Sequence, residues 1–203
     1  MQAWNRLFID QVGSVPPMLA ALLLVFGVIV LLLGWRLSRL VAALDLSIFG
    51  LLVGAALAPG SDVQWLCAGA GAVAFGGLAL WLDRYSDMIA GGLTAGVAAA
   101  LVLCWLEAPL LGVLLGVVAT FGCAVAFSYT ATKEATAVTT ALQGGLVATF
   151  GLASCLASNQ VWWELREVLA GSSVAMAMFL AAPFGVGVTF QLASIQNEEV
   201  VAQ

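Results

Sequence analysis

The sequence predicts an all-α membrane protein, a seven-transmembrane helix bundle built from three helical hairpins plus one helix. Two observations carry this. The 203 residues are 63% hydrophobic and only 8% charged, where a soluble domain holds about a quarter charged residues, and the mean hydropathy is +1.11. Apolar runs of about 20 residues, the length a helix needs to cross the hydrocarbon core of a bilayer, recur with only short polar punctuation between them.

Taken in order, residues 1–15 read as an N-terminal interfacial segment, with Trp4, Leu7, Phe8 and Val12 at helical spacing ahead of Pro16. The transmembrane domain occupies 16–193. Its first span, 16–37, is too long for a signal-peptide core, lacks a small-x-small cleavage site and leads into Trp35, Arg36 and Arg39, so it is expected to stay in the mature protein. The second, 40–58, stops at the turn Pro59, Gly60, Ser61, Asp62, and the third, 63–82, at the charged turn from Asp83 to Asp87. The fourth, 86–106, meets Glu107, Ala108 and Pro109, and the fifth, 108–130, meets Thr132, Lys133 and Glu134. After the sixth, 135–157, an outer amphipathic segment, 159–169, places Val161, Trp162, Leu165 and Leu169 on one face and Glu164, Arg166 and Glu167 on others. The seventh, 170–193, precedes a polar tail, 194–203, with Glu198 and Glu199. Short links predict antiparallel neighbours, hence three hairpins turning at basic residues and a seventh helix.

Cytoplasmic loops retain Lys and Arg. Arg36, Arg39, Arg84 and Lys133 fall on one side, Arg6 and Arg166 on the other. This predicts an external N-terminus and a cytoplasmic C-terminus, with the plasma (inner) membrane as the expected location.

Several function classes drop out. The net charge of −5 comes with no basic patch, which argues against nucleic-acid binding. There is no histidine, no C-x-x-C pair and no phosphate-binding loop, so no metal site, no cofactor and no catalytic residue is expected. Cys67, Cys104, Cys123 and Cys155 lie inside apolar runs as small packing residues; Cys67 and Cys104 fall toward the same outer end of neighbouring helices, which leaves a disulfide open. The expected partners are the lipid bilayer and other membrane proteins or a second copy of the chain.

The second helix of each expected hairpin carries a related pattern: Asp45, Gly50, Leu51, Gly54, then Asp87, Gly92, Leu93, Gly96, then the weaker Thr140, Gly145, Leu146, Thr149. Small residues four apart share one helix face and let backbones approach, which is how helices associate in lipid. Gly50, Gly54, Gly92, Gly96 and Gly145, with Gly112 and Gly116 of the fifth span, are therefore expected to be helix-packing positions.

Asp45 is the most informative single residue. It lies about 9 Å along a helix from Arg39, and a carboxylate at that depth usually faces the bundle and pairs. Asp45 with Arg36, Arg39 or Arg84 is thus a candidate ion or ion-pair site. The competing reading is that Asp45 and Asp87 simply occupy the positive N-terminal ends of helices. Ser128, Thr136, Thr139, Thr140, Gln143 and Thr149 concentrate in the third hairpin, as a wet path or as interhelical hydrogen bonders.

The stretch from Gly34, Trp35, Arg36 through Arg39 and Leu40, then Phe49, Gly50, Leu51, Leu52, Val53, Gly54 and the glycine-rich hairpins beyond, resembles the transmembrane protein 198-like family over residues 16–193. The resemblance implies a seven-helix scaffold or signalling-associated component with no catalytic residue to carry over; the short tails here depart from animal members. Function is accordingly expected to be that of a non-enzymatic scaffold or accessory subunit of a membrane assembly. The alternative is a small channel or secondary transporter for an ion or small solute, with Asp45 as its site.

Overall fold

The computed structural model describes residues 2–82, 84–157 and 159–201, and the side chains of these except at positions 2–4, 7, 84, 160, 199 and 201. The described residues form α1 (Gln2–Ser14), α2 (Pro17–Leu33), α3 (Ser38–Leu57), α4 (Gln64–Leu82), α5 (Arg84–Trp105), α6 (Leu110–Thr130), α7 (Thr132–Leu156), α8 (Gln160–Gly171) and α9 (Ser173–Val201). Helices α3, α4, α5, α6, α7 and α9 are long and apolar enough to cross a membrane, and the chain is an all-α integral membrane protein.

Helix α2 falls short of the expected first span. It has 17 residues and joins α1 into one longer apolar run only across a bend of 115°. Pro17 in its first turn suits a helix start, because its fixed φ and missing N–H cost nothing there, while Pro16 keeps α1 from continuing. At its other end α2 stops at Leu33 rather than reaching residue 37. Helix α9, by contrast, overruns expectation: the polar tail forms its last turns as far as Val201.

The partition into hairpins needs correction. The closest pairs are α3 with α4, α2 with α7, α5 with α6, and α7 with α9, while α2 and α3 hardly touch. The fold is one leading helix followed by hairpins α3–α4, α5–α6 and α7–α9, the last with α8 in its connection. A short link permits two helices to pair, but the face of small residues decides which neighbour is taken. A Cβ at Gly50 would strike the Gly71 carbonyl and one at Gly54 the Cys67 carbonyl, so the backbones of α3 and α4 are already in contact. Helix α2 does the same with α7, where Gly27 abuts Ala148 and Gly144 abuts Leu31. The matching glycines thus lie on the first helix of each hairpin rather than the second.

The amphipathic segments α1 and α8 pack together over one end of α7 and α9. Ile9, Val12, Ala153, Trp162, Leu169 and Met176 form a single buried cluster, and Phe8 meets Phe150 edge-on with ring centroids 5.8 Å apart. Asn5, 2% exposed, donates from Nδ2 to the Leu169 carbonyl at 3.0 Å, supplying a partner to a carbonyl at the end of α8. The stripe read as facing a membrane surface is therefore divided: Trp162 and Leu169 turn inward, while Val161 and Trp163 stay exposed. The side chains of Trp4 and Leu7 lie outside the described residues.

A candidate polar site between α3, α5 and α7

Helices α3, α5 and α7 are each the rising arm of a hairpin, and they run parallel. Ser38 Oγ donates to Asp87 Oδ2 at 3.1 Å, and Gln143 Nε2 donates both to Asp45 Oδ2 and to Thr94 Oγ1, each at 2.5 Å. These contacts link residues 49, 98 and 49 positions apart, so each step from one arm to the next advances by the same 49 residues. Two polar layers result, one of Ser38, Asp87 and Thr136, the other of Asp45, Thr94 and Gln143. Ala42, Ala90 and Gly91 lie between them; small residues here leave room for the polar side chains to meet.

Between the layers lies a partly open cavity of roughly 10 Å³, lined by these residues except Thr94 and also by Val41, Thr139 and Thr140, about the space one water requires. Asp45 sits ~10 Å along α3 from its first residue. The hydroxyls around it are satisfied by their own helices: Thr94 donates to the Ala90 carbonyl at 2.8 Å, Thr136 to Thr132 at 2.7 Å and Thr139 to Ala135 at 3.0 Å. Gln143 Oε1 is buried without a hydrogen-bond partner among the described residues.

Asp45 meets Gln143 rather than the arginines. Arg36 instead pairs with Glu198 near the end of α9 and stacks over the Trp35 ring at 5.4 Å. Arg39 is exposed, no described ion pair reaches Asp45, and the Arg84 side chain lies outside the described residues. The two repeat aspartates also occupy different layers. Asp45 is level with Thr94, and it is Ser38 that is level with Asp87, because packing aligns the arms by 49 residues and not by the shorter offset that superposes their glycines.

Among the glycines, Gly92 lies against Phe121 and Val125, Gly96 against Val117, Gly116 against Leu103, and Gly145 against the Phe184 backbone. Gly112 is the exception: its nearest neighbours are Pro109 and Ala108 of its own turn. All four cysteines are free thiols, Cys67 and Cys104 included.

Sequence reasoning missed Ser38, Thr94 and above all Gln191. The last is 0% exposed and its amide is inserted into the hydrogen-bond ladder of α2. Trp35 N–H donates to Gln191 Oε1 at 3.1 Å, while Gln191 Nε2 donates to the Leu31 and Val30 carbonyls at 2.7 and 3.2 Å. The side chain thus bridges a donor and an acceptor that a continuous helix would join to each other, which is a recognised way to break one. Thr140 completes the set, its hydroxyl 3.0 Å from Gln191 Oε1. A lone amide between Phe190 and Leu192 in an apolar span was the available signal.

Compared with protein-family models, curated proteins and solved structures, the chain matches none of them.

Proposed function

We propose that the chain is a small, non-enzymatic channel or secondary transporter whose helices α2 to α7 and α9 cross the plasma membrane, with the N-terminus outside and the C-terminus in the cytoplasm. The observation that carries the reading is the polar joint of Asp45, Gln143 and Thr94 where three hairpin arms meet. Ionisable groups inside a membrane bundle are costly and mark solute or ion pathways, and transporters built from structural repeats bind their substrates between the repeats. The seventh crossing is supported by α2, which lies antiparallel along α7 from Gly27 at Ala148 to Gly34 at Thr140. Purified protein in liposomes should move a small solute, and Asp45→Asn should abolish that flux without lowering the yield of folded protein. Flux that is unchanged by Asp45→Asn removes the polar joint from the mechanism.

The second reading is the scaffold or accessory subunit. It is favoured by the outer flanks of α4 and α6, each held mainly by one neighbour, where Leu66, Val73, Leu80, Leu114, Leu115 and Val118 are exposed; lipid or partner proteins cover them. Membership of the transmembrane protein 198-like family belongs with this reading, and the residues that suggest it are the break after α2 and the α3 face that meets α4. Extraction in native nanodiscs that returns a fixed set of companion proteins supports the scaffold; a lone monomer that transports removes it.

A further inference from the structure

We infer that the cavity between α3, α5 and α7 binds a single small monovalent cation, a proton or an ion of sodium size, with Asp45 as its counter-charge and the buried Gln143 carbonyl beside it. This inference rests on the reading of the polar joint as a translocation site and names what that site takes. It follows from counting donors and acceptors.

Every described donor hydrogen lining the cavity is committed. Ser38 gives its own to Asp87, and Thr136 and Thr139, like Thr94 beside the cavity, give theirs to carbonyls of the preceding helical turn. Thr140 shares its hydrogen between Gln191 and the Thr136 carbonyl, and the two amide hydrogens of Gln143 go to Asp45 and Thr94. What remains is acceptor capacity: Gln143 Oε1, buried and unpartnered among the described residues, and the second oxygen of Asp45, which accepts no described hydrogen bond. No lysine or arginine lines the cavity.

A pocket of this kind repels anions and offers nothing to a ligand that needs donors. Its volume of roughly 10 Å³ excludes organic cations. Magnesium keeps several waters and calcium sites gather several carboxylates and carbonyls, whereas Asp45 is the one carboxylate beside Gln143 Oε1, Asp87 lying in the other layer, which suits a single positive charge. A proton, or a sodium-sized ion on Asp45 and Gln143 Oε1 with water completing its shell, satisfies the surplus. The other ionisable group facing the cavity is Asp87 of α5; α4, which packs behind α3, carries no charged residue, and Lys133 and Glu134 of α7 sit in its first turn, well short of Gln143.

Thermal unfolding of the purified full chain in nanodiscs tests this, measured in sodium chloride against choline chloride at equal ionic strength, and separately across pH 5 to 8. A stabilisation that follows sodium and disappears in Asp45→Asn identifies the ion as sodium-sized; a pH response that disappears in the same variant identifies a proton. Thr94→Val, which keeps side-chain shape but removes the hydroxyl that holds the Gln143 amide, should weaken the apparent sodium affinity roughly three- to tenfold, the worth of one hydrogen bond, and it serves if Asp45→Asn does not fold. No response to either ion, a response that survives Asp45→Asn, or, where the aspartate variant does not fold, an apparent sodium affinity and pH midpoint unchanged in Thr94→Val, overturns the inference. Flux measured in parallel separates the two claims: an ion response without flux keeps the site and removes transport, whereas flux of a neutral solute without an ion response keeps transport and removes the site.

Discussion

Replacing Gln191 tests whether a side chain on α9 sets the end of α2. Gln191→Leu keeps bulk but deletes the bonds to Val30, Leu31, Trp35 and Thr140. Interhelical hydrogen bonds within membranes average about 0.6 kcal/mol and reach about 1.7. Trp35 and Leu31 can recover part of the loss by closing the main-chain bond that the amide now interrupts, which leaves a net cost of about 1–2 kcal/mol. Gln191→Glu is worse, because it aims oxygens at two carbonyls and places a carboxyl group where nothing neutralises it, at about 3 kcal/mol. The assay is unfolding in mixed detergent micelles with rising sodium dodecyl sulfate, followed by tryptophan fluorescence, with amide exchange at Trp35 as the local readout. The expected order of stability is wild type, then leucine, then glutamate. Leucine and wild type agreeing within about 0.3 kcal/mol, or glutamate no worse than leucine, would show that α2 ends where it does for another reason.

Gly54→Leu drives a side chain into the Cys67 carbonyl and Ala68 and should cost about 1–3 kcal/mol or more in the same unfolding assay, whereas Gly69→Ala and Gly77→Ala, which meet nothing within 4 Å, should stay within about 0.5 kcal/mol of wild type. Arg36→Ala and Glu198→Ala should each cost under about 1 kcal/mol and lose even that at high salt, because the paired side chains are 53% and 47% exposed. Trp162→Ala, in the cluster that joins α1 to α8, should cost about 3–5 kcal/mol and expose the α8–α9 connection at Ser172 to protease; resistance to cleavage equal to wild type would count against that cluster as the fastening.

Helix existence was legible because burial in lipid demands unbroken apolar length, and the turns at Pro59 and at Glu107–Pro109 were legible because proline and glycine mark them. Helix partners were not. The pattern of small residues identified Gly50, Gly54, Gly92 and Gly145 as contact positions, but a stripe of small residues does not say which helix fills it, and the chain pairs α2 with α7 across most of its length. Asp45 was visible as an oddity in an apolar run. Its environment was not, since Thr94 and Gln143 belong to other arms and only the 49-residue stagger of packed helices brings them level. Gln191 escaped notice because an amide in an apolar run looks the same whether it meets a side chain or replaces a rung of another helix.

The break after α2 has a consequence for biosynthesis. Trp35 and the amide that holds it stand 156 positions apart, and at roughly 5–20 residues per second the ribosome needs about 8–30 s to cover that distance. Throughout that interval nothing opposes a straight helix running through Gly34 and Trp35. Helix α2 therefore enters the membrane in one shape and acquires its final one only when α9 arrives, so a truncated chain ending before Gln191 should carry a longer α2 than the finished protein.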